Sequence, residues 1–533
     1  MKDSEKQLLV PSEYVCRKDN IDDILEKTGG MGRYQILMQV LAFLIMVTSA
    51  HQALDLYFLA DNPPWKCTNS TKFSTMISGS EFCRRNPNKI ITQDSVDWHK
   101  RCSLTSKEWE YYVSDPETYS IVTEFDLVCS KANLLSLAHS SFFIGSSVAS
   151  LLIGYLADIY GRKYVFILMT VMSFGTNIAT YYVSHAWQFI LARMILGALN
   201  NGCKNTMYVQ VFEFVLPRHR AITSNLVQVS YAVAIYYLAF IAYLVRSWRA
   251  TLLYTTLPCV LSILALGFYR SPRWLILKQQ YREAAEVFQK LGKFNKRPIQ
   301  VRFQANNDDS DEHKTKSSKT YTILDCFKHK QTLVIFFTIL LIQYVSGVIY
   351  YTMYLEFNNI GGSTYLVIAL AATADIPAMF LASYFPDKYG RKKSFIASFS
   401  LIIIGLCVAP IVFTPQNYAK VVLVRTAAAI AVKIFFSFSA DVMMLWTLEI
   451  FPTAIRTQGF VMTTMGLSIG SATAPFVVEY VRTWAYVAPF IVIVALCFIG
   501  IVLSLLLPET LGVPAREKFE DFFNTVRVDA EKN

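Results

Sequence analysis

Charge is scarce in this sequence. Only 17% of its 533 residues are Asp, Glu, Lys or Arg, where a soluble globular chain carries about 25%. That deficit argues against a soluble multidomain enzyme. With 53% apolar residues it also excludes a disordered chain, a collagen and a nucleic-acid-binding tail protein. The usual enzyme constellations are missing as well. No glycine-rich phosphate loop ends in a lysine, no His/Cys cluster has metal-ligand spacing, no serine sits in a nucleophile elbow, and the seven histidines are scattered. No catalytic residue, metal or cofactor is expected, no nucleic-acid partner, and, without a nucleotide domain, no ATP-driven pumping. A secretory signal is lacking too. Residues 1–33 are polar and the first apolar run is longer than a signal's apolar core, so the first span is expected to be retained.

Long apolar runs are plentiful instead. Stretches of about 20 residues, enough to cross a bilayer as a helix, cover roughly 34–59, 134–157, 164–183, 188–215, 223–245 and 251–269. A second set covers 331–355, 364–385, 394–413, 420–447, 459–481 and 487–507. The expectation is an all-α membrane protein with twelve transmembrane helices in two six-helix halves, 34–269 and 331–507. The net charge of +11 then reflects basic loops. Arg162, Lys163, Arg218, Arg220, Lys388, Arg391, Lys392, Lys393 and Arg456 fall on one side, against Arg246, Arg249 and Arg482 on the other. The basic side is expected to be cytosolic. Both termini (1–33 and 508–533) and the central loop 270–330 lie there, and loop 60–133 lies outside.

Cysteine placement agrees. Of ten cysteines, Cys67, Cys83, Cys102 and Cys129 all fall in the outer loop, an oxidising setting in which four cysteines allow three pairings. The same loop holds the sequon Asn69-Ser70-Thr71, a glycosylation candidate.

The halves repeat one motif. Residues 154–163 read GYLADIYGRK and residues 383–393 read SYFPDKYGRKK, with Asp, Tyr, Gly, Arg and Lys recurring 229 positions apart. Arg193 and Glu213 bracket span four, and Arg425 and Glu449 bracket span ten. Two half-transporters related by an axis along the membrane normal place a substrate site near the midplane between them. Asp158 with Arg162, and Asp387 with Arg391, sit at the cytosolic mouth, where charges can pair across the halves when that side closes. Glu213 with Arg218, and Glu449 with Arg456, could extend the network. The alternative is ordinary interfacial charge that only orients helices.

With these motifs the chain resembles the major facilitator superfamily, whose hallmark is the repeated Asp-x-x-Gly-Arg-Lys loop. More narrowly it resembles solute carrier family 22, the organic cation, anion and zwitterion transporters. The segments that carry the likeness are YSIVTEFDLVC at 119–129, GGMGRYQ at 29–35, EIFPTAIR at 449–456 and PETLG at 508–512. It runs from about residue 25 to about 515. Two features depart from the family. Arg270 stands where members have an acid before Ser-Pro-Arg, which implies a rewired cytosolic charge network, and the outer loop has four cysteines where many members have six.

The resemblance implies roles for residues inside spans, where ionisable groups are costly and usually functional or paired. Asp375, in Ala374-Asp375-Ile376-Pro377, matches an acidic position carried by cation and anion carriers alike. Lys433 matches a basic residue on span ten, and Asp441, eight residues on, could share its face or hold it in an internal salt bridge. Ser468 stands where cation carriers often have an acid and anion carriers an arginine. Met379 stands where many anion carriers have a lysine. Asp55 is expected to reach water at the outer end of span one, and Lys204 to face a polar group of a neighbouring helix. Tyr208 and Tyr350 match family tyrosines at the substrate site, with Tyr351, Tyr354, Tyr236, Tyr237 and Trp446 as possible further wall. Substrate contacts are thus expected from Tyr208, Tyr350, Asp375, Lys433, Asp441 and Ser468.

In the central loop, residues 271–294 have Ala284, Ala285, Phe288 and Leu291 at helical spacing. Residues 306–320 read as a polar linker, in which Ser317 and Ser318 are weak kinase-site candidates. The balance points to a carrier of small organic ions, cations or zwitterions, working by alternating access in the plasma membrane. An organic anion exchanger of the same architecture and a transporter-like receptor that no longer transports are the alternatives. The oligomeric state is open.

Overall fold

Inside a bilayer every backbone N–H and C=O must be bonded within its own segment, so apolar runs of this length fold as helices. The computed structural model describes residues 13–16, 21–68, 81–86, 89–92, 97–105, 108–113, 119–216, 219–258, 260, 267–303, 330–357, 363–412, 418–451, 456–482, 484–485 and 487–512. In chain order the helices are α1 (Ile21–Lys27), α2 (Arg33–His51), α3 (Leu56–Leu59), α4 (Glu81–Arg85), α5 (Ile121–Phe125), α6 (Ala132–Tyr160), α7 (Arg162–Tyr181), α8 (Ala186–Phe214), α9 (Arg220–Val245) and α10 (Trp248–Thr256). There follow α11 (Pro272–Leu277), α12 (Tyr281–Phe294), α13 (Lys330–Phe357), α14 (Thr364–Thr373), α15 (Asp375–Tyr389), α16 (Arg391–Val412), α17 (Tyr418–Ile450), α18 (Arg456–Arg482) and α19 (Ala488–Leu505).

Among the described residues, six helical stretches are long and apolar enough to cross a membrane: Arg162–Tyr181, Thr332–Phe357, Thr364–Tyr389, Val424–Ile450, Gly459–Arg482 and Ala488–Leu505. Five of these lie in the second half. In the first half, α8 has the length but is diluted by side chains such as Asn200, Asn201 and Lys204. Expected span one is broken, because α2 ends at His51 and the chain turns before α3. Expected span six is described as α10, with residues 261–266 outside the described set.

The repeat is visible in packing. In the first half α7 lies on α8 and α2 on α9; in the second α16 lies on α17 and α13 on α18. The halves meet where α6 packs on α18 and α14 on α9. One end of the bundle, here the disulfide end, carries the segment between α3 and α6. Strands β2 (Trp65–Cys67) and β3 (Trp109–Tyr111) pair antiparallel there, around the buried Trp65. Disulfides join Cys67 to Cys83 and Cys102 to Cys129, so all four expected cysteines are used.

The opposite, Gly-Arg end carries the turns at Gly161 and Gly390. There α1, α11 and α12 fuse to the first half through one apolar core that includes Leu25, Phe214, Trp274, Phe288 and Leu291. The expected amphipathic helices are therefore present. Asn295, just after α12, ties them to α2: its Oδ1 accepts from the Tyr34 N–H at 2.9 Å, and its Nδ2 donates to Thr28 O at 2.9 Å and Gln35 Oε1 at 3.0 Å. The sequence did not suggest the parallel pairing of β1 (Glu13–Cys16) with β4 (Gln300–Phe303). Asn69, Arg218, Ser317 and Ser318 lie outside the described residues, as does the Arg456 side chain.

Glycine sets the α13–α18 contact. A Cβ at Gly470 would stand 2.1 Å from the Tyr344 carbonyl oxygen, whereas one at Gly175 meets nothing within 4 Å. Thermal unfolding of the purified protein should therefore separate the two sites. Gly470→Val is expected to lose about 1–3 kcal/mol or fail to fold. Gly175→Ala, in an exposed helix interior, is expected to be neutral or to gain up to about 1 kcal/mol.

Candidate functional site

Two intramembrane ion pairs organise the bundle. In the second half the Lys433 ammonium donates to Asp375 Oδ1 at 2.6 Å and to Ser437 Oγ at 2.7 Å, and Ser437 in turn donates to the same carboxylate oxygen at 2.6 Å. Lys433 is 2% exposed and Asp375 21%, so the acid faces open space and the base does not. The sequence offered Asp441 as the lysine's partner. The pair is instead Lys433–Asp375, across α17 and α15, because Asp375 begins α15 opposite the middle of α17. Asp441 lies two turns further on, half-buried, with contacts of its own.

In the first half Arg193 Nη1 reaches both oxygens of Asp55, at 2.7 and 2.9 Å. Asp55 is 2% exposed, which overturns the expectation that it reaches water. The chain turn after α2 swings it inward to α8. The sequence missed this pair as part of a site. An arginine at the head of span four and an acid at the end of span one were the available signal.

Around Lys433 the walls are aromatic. Its ammonium stands 5.7 Å from the Tyr350 ring centroid and 5.6 Å from that of Tyr354. The Tyr350 hydroxyl is 2.6 Å from that of Tyr231 on α9, which joins the halves. Further bonds join them nearby. The Tyr57 hydroxyl donates to Tyr351 O at 3.4 Å, the Tyr351 hydroxyl is 2.7 Å from His139 Nδ1, and Ser140 donates to Ala472 O at 2.5 Å. Ser136 donates to Glu479, and the Tyr236 hydroxyl lies 2.8 Å from Thr373 Oγ1. These cross-half contacts lie toward the disulfide end, where the Phe143, Tyr57 and Tyr351 rings close the path between the halves.

Other expected wall residues fall elsewhere. Trp446 is fully buried in the second half and donates to Pro508 O at the Gly-Arg end, so it is core rather than wall. Tyr237 donates to Tyr254 O within the first half. Tyr208 sits near the Gly-Arg end of α8, its ring tilted against that of Phe212 at 4.3 Å, and helps line a small apolar cavity with Phe43, Met46 and Met207. It does not join the Tyr350 cluster. Ser468 is half-buried on α18 and Met379 on α15. Among the described residues no His/Cys/Asp/Glu group could hold a metal ion.

At the Gly-Arg end each repeated motif closes on its own half. Arg162 meets Asp158 at 3.0 Å and Glu213 at 3.2 Å. Arg391 meets Asp387 at 3.0 Å and Glu449 at 2.8 and 3.0 Å. The sequence had paired Glu213 with Arg218 and Glu449 with Arg456, arginines whose side chains lie outside the described residues; packing of α7 on α8, and of α16 on α17, brings the motif arginines to both acids. Glu509, from the PETLG segment, was not foreseen as part of this network. Its carboxylate accepts the first backbone N–H groups of α16, from Arg391 at 2.9 Å and Lys392 at 3.1 Å, where a helix terminus favours an anion. Gly390, at φ +98°, makes room, since a Cβ there would stand 2.5 Å from that carboxylate. Arg270 does rewire its corner. It bonds the Tyr164 hydroxyl at 2.6 Å and Glu283 at 2.8 Å, and the tyrosine hydrogen bond holds its guanidinium the more firmly protonated.

Known proteins place this arrangement. A family described as "Sugar (and other) transporter" matches residues 91–522. The chain belongs to that transporter family. It is 28% identical to solute carrier family 22 member 16 of Xenopus laevis, over 94% of each chain. It is 27% identical to an organic cation transporter protein of Drosophila melanogaster over 94% of each, and 25% identical to solute carrier family 22 member 1 of Bos taurus over 95% of this chain and 93% of the relative. Among solved structures, the proton:xylose symporter XylE bound to 6-bromo-6-deoxy-D-glucose superposes with a TM-score of 0.60 at 16% identity, over 92% of this chain and 99% of that one. A partially occluded, inward-open XylE from E. coli gives 0.58. The fold is therefore the major facilitator fold, and this transporter-family chain is a multi-pass membrane protein.

Breaking a buried pair strands the remaining charge. Asp55→Asn is expected to destabilise the purified protein by about 3–5 kcal/mol in denaturant unfolding, with a smaller loss in Asp55→Asn/Arg193→Met, because the double variant leaves no orphaned charge.

Proposed function

We propose that this chain carries small organic ions, cations or zwitterions, across the plasma membrane by alternating access. Both termini and the Gly-Arg end face the cytosol, and the disulfide end faces outside. Two observations support the orientation: disulfides belong to oxidising compartments, and short basic loops stay cytosolic.

The observation that carries the substrate class is the Lys433 ammonium itself. It occupies an acid-and-tyrosine box of the kind that an organic ammonium would use, with a carboxylate at 2.6 Å and two tyrosine faces within 6 Å. Such faces attract cations by about 0.5–2 kcal/mol each. The box already holds a cation that belongs to the protein. An incoming substrate competes with it for Asp375, whose carboxylate is the more exposed of the two groups. Displacing the lysine loosens α17 from α15 and links occupancy to movement within the second half.

The cross-half contacts at the disulfide end, with each Gly-Arg cluster satisfied inside its own half, fit a state closed outside and open to the cytosol. Rocking the halves breaks the aromatic seal of Tyr57, Tyr231, Tyr350 and Tyr351, and brings Asp158, Arg162, Asp387 and Arg391 toward one another. Glu213 and Glu449 hold the two arginines in readiness. With no ATP step, transport runs down a gradient or by exchange.

Paired uptake tests the reading, in cells expressing the chain, with labelled tetraethylammonium against an aromatic carboxylate such as p-aminohippurate. Tetraethylammonium is expected to enter, and Asp375→Asn at equal surface density is expected to reduce that uptake about tenfold or more, the scale of one lost charge-assisted contact. Asp441→Asn, run beside it, reports whether the second acid of α17 contributes. Uptake of the carboxylate alone would overturn the cation-or-zwitterion assignment.

A further inference from the structure

Lys433 and Asp375 neutralise one another, and Asp441 has contacts of its own; a second interior lysine remains. Lys204 lies in the interior of α8, eighteen residues from its first residue at the disulfide end, or about 27 Å along the axis. Lys433 lies fifteen residues into α17, about 23 Å along; counted from the arginine-bound carboxylates, Lys204 is nine residues before Glu213 and Lys433 sixteen before Glu449, so Lys204 stands one to two helical turns nearer the Gly-Arg end.

The face that Lys204 occupies is defined by its neighbours on α8. It follows Asn200 by four residues and Arg193 by eleven, spacings of one and three turns that keep side chains on one face. Arg193 and Asn200 are buried on that face against the chain turn after α2, where Asp55 and Gln52 take their hydrogen bonds. One turn on, Lys204 is exposed. The face turned toward the bundle centre has therefore opened between Asn200 and Tyr208. Among the described residues no carboxylate or other acceptor bonds Lys204. An ammonium at this depth persists only where it reaches a water-filled cavity. The other interior lysine, Lys433, is already neutralised by Asp375.

Resting on the transport reading above, we propose that Lys204 is the specificity-determining residue that reads an anionic group on the substrate. The preferred substrates are then zwitterions. The cationic group goes to Asp375 with the Tyr350 and Tyr354 faces, and the carboxylate goes to Lys204 across the cavity. Tyr208, four residues further on the same helix, offers its ring beside the carboxylate end. A substrate lacking the carboxylate leaves Lys204 unmet, so the simple cation is the weaker substrate.

A probe pair that differs only in that group tests this. N-methylnicotinate is a zwitterion, and N-methylnicotinamide is a cation of nearly the same shape. Uptake of each is measured in cells expressing the full chain, surface amount is normalised by biotinylation, and the readout is the ratio of zwitterion to cation uptake. The parent is expected to favour the zwitterion about tenfold. Lys204→Met is expected to bring the ratio to near one, and Lys204→Arg to restore most of the preference, which a merely structural role for the lysine would not do. A parent that favours the cation overturns the inference without any variant and leaves the transport reading standing. A preference that survives in Lys204→Met, or in Lys204→Gln if the methionine variant does not reach the surface, overturns it too. A parent that takes up neither probe, nor tetraethylammonium, counts against the transport reading and removes this inference with it.

Discussion

A charge inside this bundle persists only in contact with an opposite charge or with an open cavity, and the architecture follows from that constraint. Asp55, in the chain turn after α2, and Arg193, on α8, are each almost fully buried and satisfy one another. Lys433 and Asp375 do the same across α17 and α15, except that the acid keeps a face toward open space. One pair stakes each half. The first is sealed and behaves as structure. The second is half-open and shares its neighbourhood with tyrosines. Buried pairs contribute little net stability compared with apolar packing, but losing one partner is expensive. Such pairs therefore fix which helices are neighbours more than how tightly they hold.

The two ends of the bundle use different chemistry for different tasks. At the disulfide end the halves are joined by neutral groups: hydroxyls of Tyr57, Tyr231, Tyr350 and Tyr351, the His139 imidazole, and stacked rings. Each such hydrogen bond contributes about 1 kcal/mol, so the seal can open without stranding a charge. At the Gly-Arg end full charges are used, and each arginine is already satisfied within its half by two carboxylates. The second half adds Glu509 on the α16 N-terminus. The first half has Trp274 in the corresponding corner, its ring 3.4 Å from where a Gly161 Cβ would lie and its indole N–H donating to Asp158 O. The repeat therefore preserves the arginine and its acids while the buttress behind them differs.

How much of this the sequence discloses depends on the distance over which each interaction acts. Asp158–Arg162 and Asp387–Arg391 are one helical turn apart, so spacing alone predicts them. The four disulfide cysteines and the amphipathic residues 271–294 are likewise local signals, and the structure pairs the first and makes helices of the second. Glu213 and Glu449 were matched with the arginines nearest in sequence, but their partners come from another helix of the same half. Asp55 was assigned to water because the chain turn after α2 leaves no mark in the apolar pattern. Periodicity also cannot separate Trp446, which is core, from Tyr350, which faces Lys433, because both lie on apolar helices. The cross-half tyrosine seal is the least legible feature, since it depends on how the two halves dock.

The central claim is that the halves exchange a neutral seal at one end for a charged one at the other. Spin-label distances between the halves test it most directly, in a variant whose unpaired cysteines are replaced by serine. One label pair replaces the exposed Tyr182 and Trp484 at the disulfide end, and a second replaces Tyr160 and Tyr389 at the Gly-Arg end. With a transported ion present on both sides, a new population is predicted in which the first distance lengthens and the second shortens. Distances that move in the same direction at both ends, or that do not respond to a transported ion, would contradict the account.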